Sequence, residues 1–134
     1  YIVFSIINFI IALVLVCFYF VLSNDYLLFI SGFIFLLGFL TTIITAHLYK
    51  IIPFLVWFYR FSNLVGKQKV PMLADMVPVK SSDFGFAFYL LGFILSLIAF
   101  IFSSDILFKS AVSFLFVGTS FIVKDVFYII NFKG

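Results

Sequence analysis

The chain reads as an all-α integral membrane protein, a four-helix bundle built from two helical hairpins. Three observations predict this. Hydrophobic residues fill 66% of 134 positions and charged residues only 10%, whereas soluble domains carry roughly 25% charged residues. Four continuous apolar runs are present, each near the roughly 20 residues that a bilayer core of about 30 Å requires. None of them alternates apolar and polar residues as a membrane barrel strand does, and only helices or closed barrels satisfy the backbone in hydrocarbon. A mean hydropathy of +1.38, 23 phenylalanines and the absence of glutamate point the same way.

The whole chain, 1–134, is expected to form one transmembrane domain. The first span covers about 1–22, the second 26–49, the third 84–102 and the fourth 106–123, with room to continue to Ile130. Ser23-Asn24-Asp25 and Ser103-Ser104-Asp105 are the short links within the two hairpins. Each offers an N-cap oxygen and a carboxylate to the positive end of the following helix. Small residues mark faces where helices can approach closely: Gly38, Thr41, Thr42 and Thr45 in the second span, Gly85, Gly92, Ser96 and Ala99 in the third, and Ser110, Ser113, Gly118 and Ser120 in the fourth.

The central connection, about 50–83, begins at Pro53, which removes an amide donor and disfavours helical geometry at Ile52. The second span should therefore bend or end near Lys50 to Ile52. The apolar stretch from Pro53 to Val65 reads as a proline-bent segment lying along the interface, the alternative being a kinked extension of the second span. Trp57 and Tyr59, with Arg60 beside them, suit the headgroup boundary, where an aromatic ring has one apolar and one wet side. Gly66-Lys67-Gln68 lacks the second glycine and the Ser/Thr of a phosphate loop. Lys67 and Lys69 read instead as surface lysines drawn to anionic headgroups.

The net charge of +3 does not imply nucleic acid, because no soluble domain is present to carry a basic patch. Lys50, Arg60, Lys67, Lys69, Lys80, Lys124 and Lys133 fall on one side of the predicted topology, and only Lys109 on the other. By the positive-inside rule this bias places the central loop and the C-terminal end in the cytoplasm, in a bacterial inner membrane. Cys17 is the one cysteine, so no intrachain disulfide can form. The chain opens on apolar residues with no basic leader, and reads as the C-terminal part of something longer.

The hairpins resemble each other at an offset of 80, with Ser23, Asp25, Leu27 and Gly38 matching Ser103, Asp105, Leu107 and Gly118. A parallel repeat of this kind is one route to membrane bundles and transporters. At the same offset the single histidine, His47, aligns with Phe127.

His47 is the residue where chemistry could reside. Imidazole is a ligand for haem iron and copper and a proton relay. One histidine supplies only one ligand, so a second would have to come from Met72, Met76 or another chain. Because metal sites need several converging donors, a helix-end histidine bonding a carbonyl, water or headgroup is the plainer reading. At about 100° per residue, His47 lies about 120° or more from Gly38, Thr41 and Thr45 and aligns with Leu40, Ile43 and Ile44. Asp125, next to Lys124, is the second candidate, since intramembrane carboxylates mark proton and ion paths. The plainer reading is a structural boundary role, with the pair snorkelling or sitting at the cytoplasmic boundary. Hydrolytic catalysis finds no serine or cysteine with a base at motif distance.

The stretch His47-Leu48-Tyr49-Lys50-Ile51-Ile52-Pro53-Phe54-Leu55-Val56-Trp57, followed by Gly66-Lys67-Gln68-Lys69-Val70-Pro71-Met72, resembles bacterial polytopic membrane proteins of the NnrS and haem-copper oxidase subunit I-like groups. The matching part covers about thirty residues of the chain. Members of those groups have more spans than this chain. The resemblance implies haem or copper as cofactor, with His47 the single position that carries over as ligand. The several-histidine metal centre of an oxidase subunit is absent from the sequence. Two functions follow as expectations. One is a haem- or copper-associated protein of respiration or nitrogen-oxide metabolism. The other is a non-enzymatic structural or assembly subunit, in which His47 only positions the bent segment. A small transporter half is a third reading. The expected partners are membrane lipid and further helices or subunits.

Overall fold

The computed structural model describes residues 1–133, and among them every regular element is helical. In chain order these are α1 (Ile2–Leu22), α2 (Asp25–Phe33), a π-helical stretch (Ile34–Leu40), α3 (Thr41–Phe61), α4 (Val79–Phe102) and α5 (Asp105–Ile130). Short 3₁₀ turns occupy Ser62–Leu64 and Leu73–Met76. Among the described residues, four helical rods are long and apolar enough to cross a membrane: Ile2–Leu22, Asp25–Leu64, Val79–Phe102 and Asp105–Ile130. The protein is a multi-pass membrane protein. Its contacts fall into two compact units, Tyr1–Ala46 and the residues from His47 onward, with the border inside the continuous helix α3.

The first unit is a hairpin of α1 against α2 and the π-helical stretch. Ser5, Asn8 and Ala12 are the buried residues of α1, and their spacing puts them on one face. The facing rod offers Gly38, where an added Cβ would come within 2.6 Å of the Asn8 side chain. Polar groups in this seam are satisfied by their own helices, as hydrocarbon demands. Ser5 Oγ donates to the Ile2 carbonyl at 2.7 Å, Asn8 Nδ2 to Phe4 at 2.8 Å and Ser31 Oγ to Leu28 at 2.8 Å. The wider winding of the π stretch is anchored at one oxygen: the Leu36 carbonyl accepts both the backbone N–H of Thr41 and its Oγ1, the latter at 3.0 Å. Phase counted at about 100° per residue does not carry across such a stretch. The angular relation of His47 to Gly38 read from the sequence is therefore set aside.

The second unit is built on α4 and α5. Gly85, Gly92 and Ala99 of α4 and Ala111, Gly118 and Asp125 of α5 are buried, and in each helix they recur every seven residues. That is the period of a coiled-coil seam. The helices meet backbone to backbone: a Cβ on Gly118 would sit 2.8 Å from the Tyr89 amide nitrogen, and one on Gly92 would sit 2.7 Å from that of Leu115. Phe88 stacks on Phe114 and Phe121 alongside, with centroids 6.2 and 5.9 Å away. Beyond the seam, Phe61, Met76 and Ile129 form a buried cluster, against which Tyr49, Ile52, Trp57 and Phe132 pack.

Both hairpin links use the same turn. Ser23 and Ser103 close the preceding helix in the left-handed region, at φ 49° and 50°, which satisfies end carbonyls. Asn24 Oδ1 then accepts from the Tyr26 amide at 3.0 Å, and Ser104 Oγ from the Leu107 amide at 3.5 Å.

Two boundaries differ from the sequence reading. Helix α3 passes through Pro53 and ends at Phe61, so residues 53–61 continue the second rod, as the alternative of an extended second span has it. A helical proline forfeits one backbone bond and crowds the carbonyl four residues back. Membrane helices tolerate this where neighbours surround the ring, and Pro53 is buried. Helix α4 starts at Val79, earlier than residue 84, because Pro78 supplies the preceding carbonyl and Ser82 N–H donates to it at 2.9 Å. A polar first turn suits a helix end.

Candidate functional site

Three helices of the second unit converge on one carboxyl group. Asp125 lies seven residues after Gly118 on the buried face of α5 and is 0% exposed. Tyr49 of α3 donates its hydroxyl to Oδ2 at 2.7 Å, and Ser81 of α4 donates its own to Oδ1 at 2.5 Å. Lys124 Nζ donates in turn to Ser81 Oγ at 3.2 Å and lies 5.1 Å from the Phe121 ring centroid. Ser81 is the third residue of α4, so the carboxyl group faces the positive end of that helix dipole.

Its depth follows from helix geometry. Asp125 lies twenty residues after Asp105, the first residue of α5. At about 1.5 Å per residue that is about 30 Å, one hydrocarbon thickness. The cluster therefore sits at the edge of the apolar layer on the side of the central connection. Asp125 does not snorkel with Lys124. Adjacent helix positions point about 100° apart, so Lys124 reaches the exposed flank while Asp125 turns into the seam.

Chemically this is a lock. A nucleophilic serine needs an oxygen open to substrate and a base to take its proton. The Ser81 oxygen already accepts from Lys124, and its proton is committed to Asp125. A carboxyl group that accepts two hydroxyls from two other helices fixes their relative register.

The central connection is tied down beside the lock. Trp57 Nε1 donates to the Pro71 carbonyl at 2.8 Å, and Arg60 Nη1 to the Phe132 carbonyl at 2.5 Å. The Asp75 carboxylate accepts from the Met72 amide at 3.1 Å, closing the turn that buries Met76. Lys67 and Lys69 are exposed beside Gly66, whose φ of 81° makes the reversal. Tyr59 is exposed and Pro53 is buried.

His47 is exposed on α3, two residues before Tyr49, and so points about 160° away from the tyrosine that meets Asp125. It does not join the cluster. Met76, one candidate second axial ligand, is enclosed with Phe61 and Ile129, and Met72 is 75% exposed. Among the described residues no three His, Cys, Asp or Glu side chains gather as a metal site would require. The first unit carries a groove of about 430 Å³ lined by Ala12, Leu13, Val16, Leu28, Gly32 and Phe35, with Ser31 its single polar residue. Ser31 is spent on the Leu28 carbonyl.

Comparison with protein-family models, with curated proteins and with solved structures finds no match. The cluster geometry therefore has to carry the functional reading by itself. Tyr49 and Ser81 were not singled out from the sequence as partners of Asp125. The available signal was the seven-residue line Ala111, Gly118, Asp125, which puts the carboxylate on the face made of small residues.

Proposed function

We propose that the protein is a non-enzymatic structural or assembly subunit of a membrane complex. The observation that supports this best is the use of its buried polar groups. In the first hairpin Ser5, Asn8 and Ser31 bond their own backbone, and in the second Tyr49, Asp125 and Ser81 close the lock. Such an interior fixes shape, and the outward faces meet lipid or other subunits. The charge bias, seven basic residues against Lys109 alone, supports placing the lock and the central connection on the cytoplasmic side of a bacterial inner membrane.

A second reading rests on the exposure of His47. An outward imidazole can contribute one axial ligand to a haem, or one donor to copper, shared with another chain. This is the role the NnrS and haem-copper oxidase-like resemblance implies. The visible spectrum and metal content of the full chain, purified in mild detergent from cofactor-replete cells, separate the two readings. The structural reading expects no Soret band and no bound copper, with wild type and His47→Ala indistinguishable. A Soret band or copper signal lost in His47→Ala would overturn it and establish the ligand role.

A further inference from the structure

The last turns of α5 and the residues after it carry a polar, aromatic outward face. Lys124, Phe127, Tyr128 and Asn131 follow the i, i+3, i+4, i+7 spacing of one helix face. With Phe132 and Lys133 they line a groove of about 570 Å³. Asp125 and Ile129, on the other side of the same turns, are buried. Among the described residues the lining thus holds two cations, an amide and a phenol hydroxyl, and no carboxylate. Asp125, the nearest acidic residue in sequence, is fully buried and bonded to Tyr49 and Ser81.

The groove is also at a definite depth. Lys124 lies nineteen residues after Asp105, about 28 Å along the helix, which is the boundary between hydrocarbon and headgroups. Its side chain is held there by the Ser81 hydroxyl at 3.2 Å and the Phe121 ring at 5.1 Å. Phe132 is fixed at its carbonyl by Arg60, which brings a third cation to the rim. Tyr128 and Phe132 stand edge to face, with centroids 6.2 Å apart, giving the groove an apolar floor below its charges.

We propose that this groove binds the headgroup of an anionic phospholipid. Lys124 and Lys133 take the phosphate, and the Asn131 amide and Tyr128 hydroxyl bond the phosphate or glycerol oxygens. The faces of Phe127 and Phe132 lie against the first acyl carbons. A basic groove at a helix end, at headgroup depth, is the pattern that selects anionic lipid over zwitterionic lipid. The proposal rests on membrane insertion of the four rods and is independent of whether the protein is a structural subunit or a haem protein.

The test uses the full chain in phosphatidylcholine bilayers, with electron paramagnetic resonance of spin-labelled phosphatidylglycerol and phosphatidylcholine. Each well-placed lysine is worth roughly fivefold in affinity for anionic lipid, so with two of them the wild type should favour phosphatidylglycerol by about 25-fold. Lys124→Gln with Lys133→Gln should bring the preference to within about twofold of unity. Lys124→Arg with Lys133→Arg should retain it, as should Lys50→Gln on the exposed flank of α3. Lys133→Gln alone should lose roughly fivefold, which keeps the test decisive if Lys124→Gln disturbs the Ser81 contact and the fold. A loss in Lys50→Gln equal to that in Lys133→Gln would show diffuse surface charge and overturn the site. So would full selectivity in the glutamine double variant. Displacement of the lipid by excess inorganic phosphate would make it a free-anion site and overturn the lipid assignment.

Discussion

The lock at Asp125 makes a quantitative prediction through a double-mutant cycle. Tyr49→Phe removes one hydroxyl donor and leaves Oδ2 of a fully buried carboxyl group without its 2.7 Å partner. Hydrogen bonds to charged groups contribute about 1.5–3 kcal/mol in water-soluble proteins, but interhelical bonds in membranes average about 0.6 and reach about 1.7 kcal/mol. Asp125 is fully buried and Tyr49 partly so, at the edge of the hydrocarbon layer where the unfolded reference is hydrated. The expected cost of Tyr49→Phe is therefore about 1–2 kcal/mol. Asp125→Ala orphans two hydroxyls on two helices and should cost more, about 2–4 kcal/mol. The double variant should fall short of the sum by about 1 kcal/mol, the coupling between directly bonded partners. Reversible unfolding in mixed micelles, followed by helical circular dichroism, measures all four corners. Additivity to within about 0.3 kcal/mol would refute the reasoning, because it is what independent sites give.

Four further outcomes are expected. Gly118→Ala and Gly92→Ala should each destabilise by about 1–3 kcal/mol, since the new Cβ meets backbone at 2.8 and 2.7 Å. Gly32→Ala meets nothing within 4 Å and should stabilise by about 0.5–1 kcal/mol in the same unfolding assay. Trp57→Phe removes the bond to the Pro71 carbonyl, and should raise hydrogen exchange across 66–72 without changing exchange in the α4–α5 seam. Cys17, exposed on α1 within its apolar run, should react with a lipid-soluble maleimide in intact vesicles and resist a charged, water-soluble one.

The rods and turns were legible because their signals are local. Apolar length gives a span, and Asn24 and Ser104 cap their helices through side chains that the sequence displays. Two features were not decided by the sequence because their causes are not local. Pro53 stays helical since tertiary neighbours surround its ring, which propensity alone does not convey. The π-helical winding at Ile34–Leu40 depends on how Thr41 shares the Leu36 carbonyl, and no composition signals it. Asp125 was legible as a candidate, but its partners were not. Its partners Tyr49 and Ser81 lie 76 and 44 positions away, and only the helix phase of Ala111, Gly118 and Asp125 hinted at its inward face.

Those separations bear on how the molecule is made. Tyr49 and Asp125 leave the ribosome 76 residues apart, and Arg60 and Phe132 are 72 apart. At about 5–20 residues per second, α3 must wait roughly 4–15 seconds in the translocation machinery or the bilayer before the groups that hold it exist. During that interval the Tyr49 hydroxyl and the Arg60 guanidinium need substitute partners, from water, lipid headgroups or an insertion factor. In the first hairpin Ser5, Asn8 and Ser31 bond within their own helices and face no such delay. Biogenesis therefore has a natural order, with residues 1–46 self-sufficient early and the second unit completed only when the end of α5 arrives.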